Sequence, residues 1–415
     1  MGRMMTSEEA ASRLGVKVTT LYVYVSRGLL ESHPDPTSRR SLFAVEDVER
    51  LASRSRGGRR VESRLAVVTT SITLLDDRGP VYRGRPATEL ARSEPFERVA
   101  DLLWGNTAGT ADERVEPAEG AASDWSPRPL AVPAHLRARD RLPWATVMSG
   151  AEDPFRADLR PTAVARAART LVATLVAAMA APTGGDGSEA PDLVLADGTR
   201  VRDSLAGRLT AALSPEDSGD HDPAEVVAAV NAAMVLLADH ELATSTLAVR
   251  VAASTRADVY DAVLSGLGTS AGTLHSAASD VALELLGAAG SDGAEVAMGD
   301  ALRRWGYVPG FGHGAYPDGD PRATCLLGIV TGLGDDEHRA LVQRLVATAA
   351  QQGLPPANID FALAALASAI GAPPGAMPAL FSIARVAGWV AHYLEELDER
   401  PLRFRARAIH ATESA

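Results

Sequence analysis

Four polar side chains stand where a long, alanine-rich chain otherwise offers little chemistry: His240, His275, His313 and Asp360. Each falls near the expected start or end of a helix. A carboxylate so placed can act as a general base, and histidines can give or take a proton at neutral pH. Three arginines complete the set. Arg322 follows Asp320-Pro321, Arg385 sits in the apolar run from Phe381 to Trp389, and Arg400 precedes Pro401. An arginine on an apolar helix face requires a carboxylate partner, from the protein or from a ligand, because an unpaired buried charge is costly. Helix N-termini stabilise anions, so the set suits a di- or tricarboxylate. Taken singly, each residue also has a plain structural reading. His240 fits a capping or core histidine, His275 a histidine at a helix start, and Asp360 an acid in a first helical turn.

The densest stretch runs from Pro309 to Arg322, with glycines at 310, 312, 314 and 319 and prolines at 309, 317 and 321. Glycine lets backbone approach a ligand or another segment closely, and proline holds the turns still. His313 lies between two of these glycines and so belongs to no apolar helix face. Arg322 is placed to open a helix through Ala323 and Gly328.

These residues need elements to carry them. Of the 415 residues, 46% are hydrophobic and 23% charged, which predicts a largely helical chain with more than one domain. Helical periods run over Pro95–Gly105, Pro161–Ala181, Val201–Ala212 and Pro223–His240. Residues 65–75 are β-branched and read as extended; Asp76 to Gly79 turn the chain and Val81 to Gly84 return, making a hairpin. Ala108–Pro127 and Pro182–Asp192 read as loops. The longest apolar run, Leu171–Ala181, is too short to span a membrane. With no signal-peptide pattern at the start, this predicts a cytoplasmic protein with no membrane partner. One cysteine, Cys325, excludes an internal disulfide framework and a multi-cysteine metal site, and no metal ligands are expected.

In order along the chain, His240-Glu241, Leu274-His275, Pro309 to His313 with Asp320-Pro321-Arg322, Asn358-Ile359-Asp360-Phe361, and Arg385 to His392 resemble the motifs of the citrate synthases. The resemblance covers about residues 63–407. It implies an all-α fold with a large helical domain, a smaller lid subdomain at about 250–355, and a homodimer. It implies condensation of acetyl-CoA with oxaloacetate and water, with no cofactor, the thioester being a substrate. By position, Asp360 would abstract the acetyl proton, His275 would hold the thioester oxygen, and His313 would polarise the oxaloacetate carbonyl. His240, Arg322 and Arg385 would bind oxaloacetate, and Arg400 would reach the partner subunit's site. Val308, Pro309, Gly310, Phe311, Gly312 and Gly314 would lie along CoA. The family's usual Leu-His-Gly-Gly-Ala-Asn-Glu is here Leu274 to Asp280 with Ser276, Ala277 and Ser279 in place of two glycines and the asparagine. A 2-methylcitrate synthase, or a related enzyme condensing an acyl-CoA with a 2-oxoacid, shares the pattern.

The first 60 residues differ from the rest. They carry eleven Lys/Arg against seven Asp/Glu, a surplus of four, although the whole chain is at −12. A basic head on an acidic body suggests a nucleic-acid-facing module. Glu9-Ala10-Ala11, Leu14-Gly15-Val16, Thr20-Leu21-Tyr22 and Arg27-Gly28-Leu29-Leu30 resemble a winged helix-turn-helix of the MerR or excisionase type over residues 1–53. The resemblance places Thr19, Thr20, Tyr22 and Tyr24 in the major groove and Arg39 and Arg40 on phosphates. Residues 54–62 read as a basic linker. A DNA-binding regulator that senses acyl-CoA or oxaloacetate through a synthase fold is the reading from another class.

Overall fold

A computed structural model of the chain describes residues 4–14, 18, 21, 25, 30, 32–34, 41–45, 47–48, 68–105, 125–180, 203–214, 221–272 and 275–405. It divides into two compact units, residues 1–69 and 70–415.

In the first unit, β1 (Met4–Thr6), β2 (His33–Pro34) and β3 (Ser41–Ala44) form an antiparallel sheet in the order β1-β3-β2, with Met5 opposite Phe43. Helix α1 (Ser7–Leu14) opens on a reciprocal cap. The Glu9 carboxylate accepts from the Thr6 N–H at 2.8 Å, and the Thr6 hydroxyl accepts from the Glu9 N–H at 3.3 Å. A small core of Ala10, Ala11, Leu21, Leu30, Phe43 and Val48 closes the unit. Thr19, Thr20, Tyr22, Tyr24, Arg39, Arg40 and the linker at 54–62 lie outside the described residues.

The second unit starts with the expected hairpin. β4 (Thr73–Asp76) and β5 (Gly79–Tyr82) pair antiparallel, and β6 (Arg85–Pro86) adds to β5. The rest is helical. Helices α2 (Ala87–Ser93), α3 (Phe96–Leu103), α4 (Ala138–Ala151), α5 (Pro161–Met179), α6 (Leu205–Leu213) and α7 (Pro223–Leu237) form its first half. Then follow α8 (Thr244–Ser254), α9 (Val259–Ser270), α10 (Ala278–Asp292), α11 (Ala294–Trp305), α12 (Pro321–Val330), α13 (Asp336–Gln351), α14 (Ile359–Ala369) and α15 (Ala376–Leu397). The four helices expected from periodicity are present with ends trimmed by a few residues. The loop expected at 182–192 lies outside the described residues, as does most of that at 108–127.

Helix α15 is the axle of this unit. It spans 22 residues, almost all buried, and packs on α5, α7, α8 and α9. Small residues permit the approach: Gly266 on α9 lies flat on the Trp389 indole. The apolar run that starts at Leu171 falls in α5. Helix α5 is 19 residues long and, by length and composition, apolar enough to cross a membrane. Arg166 and Arg169 interrupt the apolar run in the sequence, but the alanines, valines and leucines around them carry a helix-length window. The window is 67% buried inside the protein, as a core helix is.

The α9–α15 contact yields a stability prediction. A Cβ added at Gly266 would sit 2.8 Å from the Trp389 ring. Gly266→Ala is expected to destabilise the unit by about 1–3 kcal/mol through overpacking, despite alanine's better helix propensity. A urea titration should show a lower midpoint; an unchanged or higher midpoint contradicts the packing described.

Candidate active site

The loop from Pro309 to Asp320 is stitched to the segment that enters α14. The Gly312 N–H donates to the Pro356 carbonyl at 2.7 Å, and the Asn358 N–H to the Gly310 carbonyl at 2.8 Å. Gly310 and Gly312 both take positive φ, 80° and 85°, and a Cβ at Gly310 would lie 2.8 Å from that of Phe361. Gly310 is therefore required for close packing on α14, and both glycines for turning the loop. Asn358 does double duty. Its side-chain oxygen caps α14 by accepting from the N–H groups of Asp360 and Phe361, at 2.9 and 3.3 Å. Its amide donates to the Gly312 carbonyl at 2.8 Å.

Asp320 is the knot of the site. It caps α12 by accepting from the Arg322 N–H at 3.0 Å, and it takes a forked pair of bonds from the Arg322 guanidinium at 3.0 and 2.8 Å. It also accepts from the Ile359 N–H at 3.1 Å, which ties this ion pair to the first turn of α14. The charge of Arg322 holds the Asp320 carboxyl below its ordinary range against the opposing effect of burial.

Around this pair stand two histidines and a tyrosine. The His313 Nδ1 accepts from the Ala315 N–H at 3.1 Å, while its Nε2 faces Arg322 Nη2 at 3.2 Å. The His240 Nε2 lies 3.2 Å from the Tyr316 hydroxyl, and its ring meets that of His313 edge-on at 5.3 Å. Burial lowers both histidines from their ordinary range, and the arginine charges add to this. Both rings are thus neutral at neutral pH and can act as hydrogen-bond partners without adding charge.

Arg385 has a different environment. It is 1% exposed, donates from Nε to the Leu237 carbonyl at 2.7 Å, and lies 4.7 Å over the Phe381 ring. No ion pair holds it among the described residues. The same Phe381 ring packs edge-on at 5.4 Å against His275, whose Nε2 is 2.9 Å from the Ser245 hydroxyl. The Trp389 indole N–H donates to that hydroxyl at 3.3 Å, leaving the serine proton free for the histidine. Burial, aided by Arg385, lowers the His275 pKa to about 4.

Asp360 borders a cavity of about 180 Å³ shared with Pro309, Gly310, Phe311, Gly312 and Tyr307. Burial raises its pKa to about 6, even with Arg322 pulling the other way. Val308 is buried beneath this cavity loop and Gly314 is exposed at its tip. Arg400 stands exposed past the end of α15 and makes no hydrogen bond or ion pair among the described residues. The unusual segment after His275 uses its polar groups internally. The Ser276 hydroxyl donates to the Ser270 carbonyl at 2.7 Å, and Asp280 accepts from the Gly375 N–H at 3.1 Å.

The ordered site residues and the helical frame agree with what the chain resembles. The family profile for the C-terminal domain of citrate synthase matches residues 63–407. The chain belongs to the citrate synthase family. It is 30% identical over 366 residues to the citrate synthase of Haloferax volcanii, covering 79% of this chain and 88% of that relative. It is 28% identical over 336 residues to 2-methylcitrate synthase 2 of Corynebacterium glutamicum, covering 77% and 86%. Among solved structures, the fold is similar to that of Thermoplasma acidophilum citrate synthase in ternary complex with carboxymethyl coenzyme A and oxaloacetate. That match has a TM-score of 0.65 and 22% identity, and covers 85% of this chain and 95% of the other. A helix-turn-helix domain profile matches residues 4–56.

Within this family frame, the structure gathers His240, His313 and Arg322 into one cluster. It sets His275 and Arg385 on either side of Phe381, and places Asp360 on the cavity beside the loop. The sequence did not single out Ser245 or Tyr316, nor the double roles of Asp320 and Asn358. Asn358 carried a signal, since an asparagine just before an apolar helix is a cap. Ser245 carried none, since its partner lies 30 positions away.

The raised Asp360 pKa has a consequence for stability. In the unfolded chain the group titrates at its ordinary value of 3.8, and in the fold at about 6. The folded state therefore binds protons more tightly between those values, and stability falls as pH rises through this window. Asp360→Asn is expected to raise the melting temperature at pH above about 6, with the gain vanishing below about 4. Melting curves across that range check it; a loss of stability at neutral pH would show that the carboxylate is held by favourable contacts.

Proposed function

We propose that this member of the family condenses an acyl-CoA with oxaloacetate and water to give a citrate and free CoA, with acetyl-CoA the leading donor. The observation that carries the reading is Arg385, a buried guanidinium without an ion pair among the described residues, facing neutral histidines across a site with a second buried arginine. A dicarboxylate supplies the missing partner.

In the proposed mechanism Asp360 takes a proton from the carbon next to the thioester. His275 donates to the thioester oxygen as charge develops there; the Ser245 hydroxyl on its Nε2 leaves the ring proton on Nδ1 for that task. The resulting carbon nucleophile bonds to the keto carbon of oxaloacetate, and His313, whose Nδ1 accepts from the Ala315 N–H so that the neutral ring carries its proton on Nε2, supplies that proton to the oxygen that was the carbonyl. Water then cleaves the thioester, releasing CoA. His240, Arg322 and Arg385 hold the dicarboxylate, and the loop Val308–Gly312 with Gly314 lies along CoA. The thioester is a substrate, and no cofactor enters this scheme. A lid of about residues 250–355 would close over the substrates and keep water out until the carbon–carbon bond exists. Arg400, exposed at the end of α15, would complete the site of the second copy in a homodimer. The buried thiol of Cys325 suits a reducing compartment, and we place the enzyme in the cytoplasm.

Purified protein is expected to release CoA from acetyl-CoA only when oxaloacetate is present. Asp360→Ala should lower kcat by at least roughly a hundredfold while leaving oxaloacetate binding intact. The rate should also fall as pH drops below about 6, where Asp360 takes up a proton. Absence of CoA release from both acetyl-CoA and propionyl-CoA would overturn the reading, and the ratio of the two rates assigns the acyl group.

The helix-turn-helix match and the basic head favour a second role in binding DNA through residues 1–53, joined by a linker at 54–62. A mobility shift on the DNA upstream of its own coding region is expected. It should weaken with rising salt and be lost on changing Thr20 and Tyr22 together. No shift at low salt would remove this role.

A further inference from the structure

Beneath His240 runs a chain of fully buried polar groups that the condensing mechanism does not use. Asp239, His392, Arg250 and Glu396 are all 0% exposed. Arg250 donates from Nη1 to the His392 Nδ1 at 2.8 Å and to Glu395 at 2.7 Å, and from Nε to Glu396 at 2.9 Å. Arg403, beyond the end of α15, forks onto Glu396 with two bonds of 2.6 Å. On the other side of the ring, the His392 Nε2 lies 3.3 Å from Asp239 Oδ2. That same oxygen accepts from the Glu241 N–H at 3.2 Å.

Chemistry fixes the direction of this chain. A guanidinium can only donate, so the His392 Nδ1 is the acceptor and the ring N–H sits on Nε2, aimed at Asp239. Asp239 is thereby held with its Oδ2 under the Glu241 N–H. Glu241 takes φ of 53°, in the left-handed region that a residue with a side chain enters at a cost. The hydrogen bond from its N–H offsets that cost, and the residue between the two is His240. The turn that aims the His240 ring at Tyr316 and His313 is therefore anchored on Asp239. Two further contacts locate Asp239. The Gly388 N–H donates to the Ala238 carbonyl at 2.9 Å, and a Cβ at Gly388 would collide with Asp239 Oδ1 and the Ala238 carbonyl. The Tyr82 hydroxyl accepts from the Asp239 N–H at 3.2 Å and shares its one proton between the Val235 and Asp239 carbonyls, each 3.0 Å away.

We propose that His392 is a positioning residue: with its Nε2–H it holds Asp239 against the strained turn at Glu241 and so sets the orientation of His240, while Arg250 fixes the ring and ties it through Glu396 and Arg403 to the segment that follows α15. The role is one of orientation, since His392 is fully buried. The oxaloacetate readout of its test rests on the condensing-enzyme reading; the histidine signals do not.

The pair His392→Asn and His392→Gln tests it. Both substitutes are polar. Glutamine carries an amide N–H to the place of Nε2, whereas asparagine is too short to reach Asp239 while keeping Arg250. Two quantities are measured at neutral pH: the ring 1H–15N signals of His240, assigned by their loss in His240→Gln, and the Kd for oxaloacetate by calorimetry. His392→Asn is expected to shift the His240 signals and weaken oxaloacetate binding on the order of tenfold, as loss of a hydrogen bond to a charged group allows. His392→Gln should keep both near the wild-type values. Equal behaviour of the two variants, whether both intact or both impaired, overturns the proposal. Should the asparagine variant fail to fold, the wild-type ring spectrum decides: a His392 proton found on Nδ1 overturns it, and one on Nε2 with Nδ1 bare supports it. A wild-type chain that binds no oxaloacetate overturns the reading of the site, and the ring signals then judge the positioning role alone.

Discussion

The site depends on one buried carboxylate. Asp320 is 2% exposed and satisfies an arginine fork, the Arg322 N–H at the start of α12 and the Ile359 N–H of α14 at once. Two helices and the glycine loop between them therefore share a single anchor. Burying a carboxylate and a guanidinium together stabilises a fold only when geometry and extra hydrogen bonds offset their desolvation. Here the geometry is forked and the remaining lone pairs find backbone donors, so the pair holds His313, Arg322 and the head of α14 at fixed separations. Removing Asp320 would leave a buried cation and loosen both helix starts.

This arrangement separates the two buried arginines by function. The charge of Arg322 is already answered by Asp320, so what it offers a ligand is a set of oriented donors. Arg385 donates to a carbonyl and lies over an aromatic face, with the Asp239 carboxylate near enough to act on its charge but no ion pair among the described residues. His240 and His313 add no charge, because burial and the arginines keep them neutral. Under the proposed function a dianionic substrate would meet one buried arginine, Arg385, that has no ion pair among the described residues. A second arginine would come from Arg400 of another copy, which accounts for an exposed arginine at the end of the buried helix.

Much of this was legible in the sequence because the chemistry interrupts a monotonous pattern. His240, His275, His313 and Asp360 stand out against alanine and leucine, and the Arg322 and Arg385 settings are readable as charges in apolar runs. The hairpin and the long helices followed from β-branched alternation and from 3.6-residue periods. What the sequence hid were pairings over distance. Arg250 and Glu396 are 146 positions apart, and neither has a neighbour that betrays the other. The glycines of the Pro309 loop were legible as special but not in their purpose: Gly310 is needed where the loop presses on Phe361. The apolar run from Leu171 was legible as core, and α5, which contains it, has the length and composition of a membrane helix while 67% of its apolar window is buried inside the protein.

The segment from Ser276 to Asp280 carries serine, alanine and serine where the resemblance implies two glycines and an asparagine, and its polar groups are used internally. The Ser276 hydroxyl turns back on the Ser270 carbonyl at the end of α9, that of Ser279 on the Ser276 carbonyl, and Asp280 pins the loop before α15 through Gly375. Behind these residues lies a mostly apolar cavity of about 490 Å³, bordered by Leu264, Leu267, Ala277 and Pro378. The substitutions therefore leave the backbone anchored and add side-chain bulk beside His275. Ser245, Trp389 and Phe381, which fix the ring of that histidine, are untouched by the change. The ring of His275 is thus held by contacts that do not involve the residues that follow it.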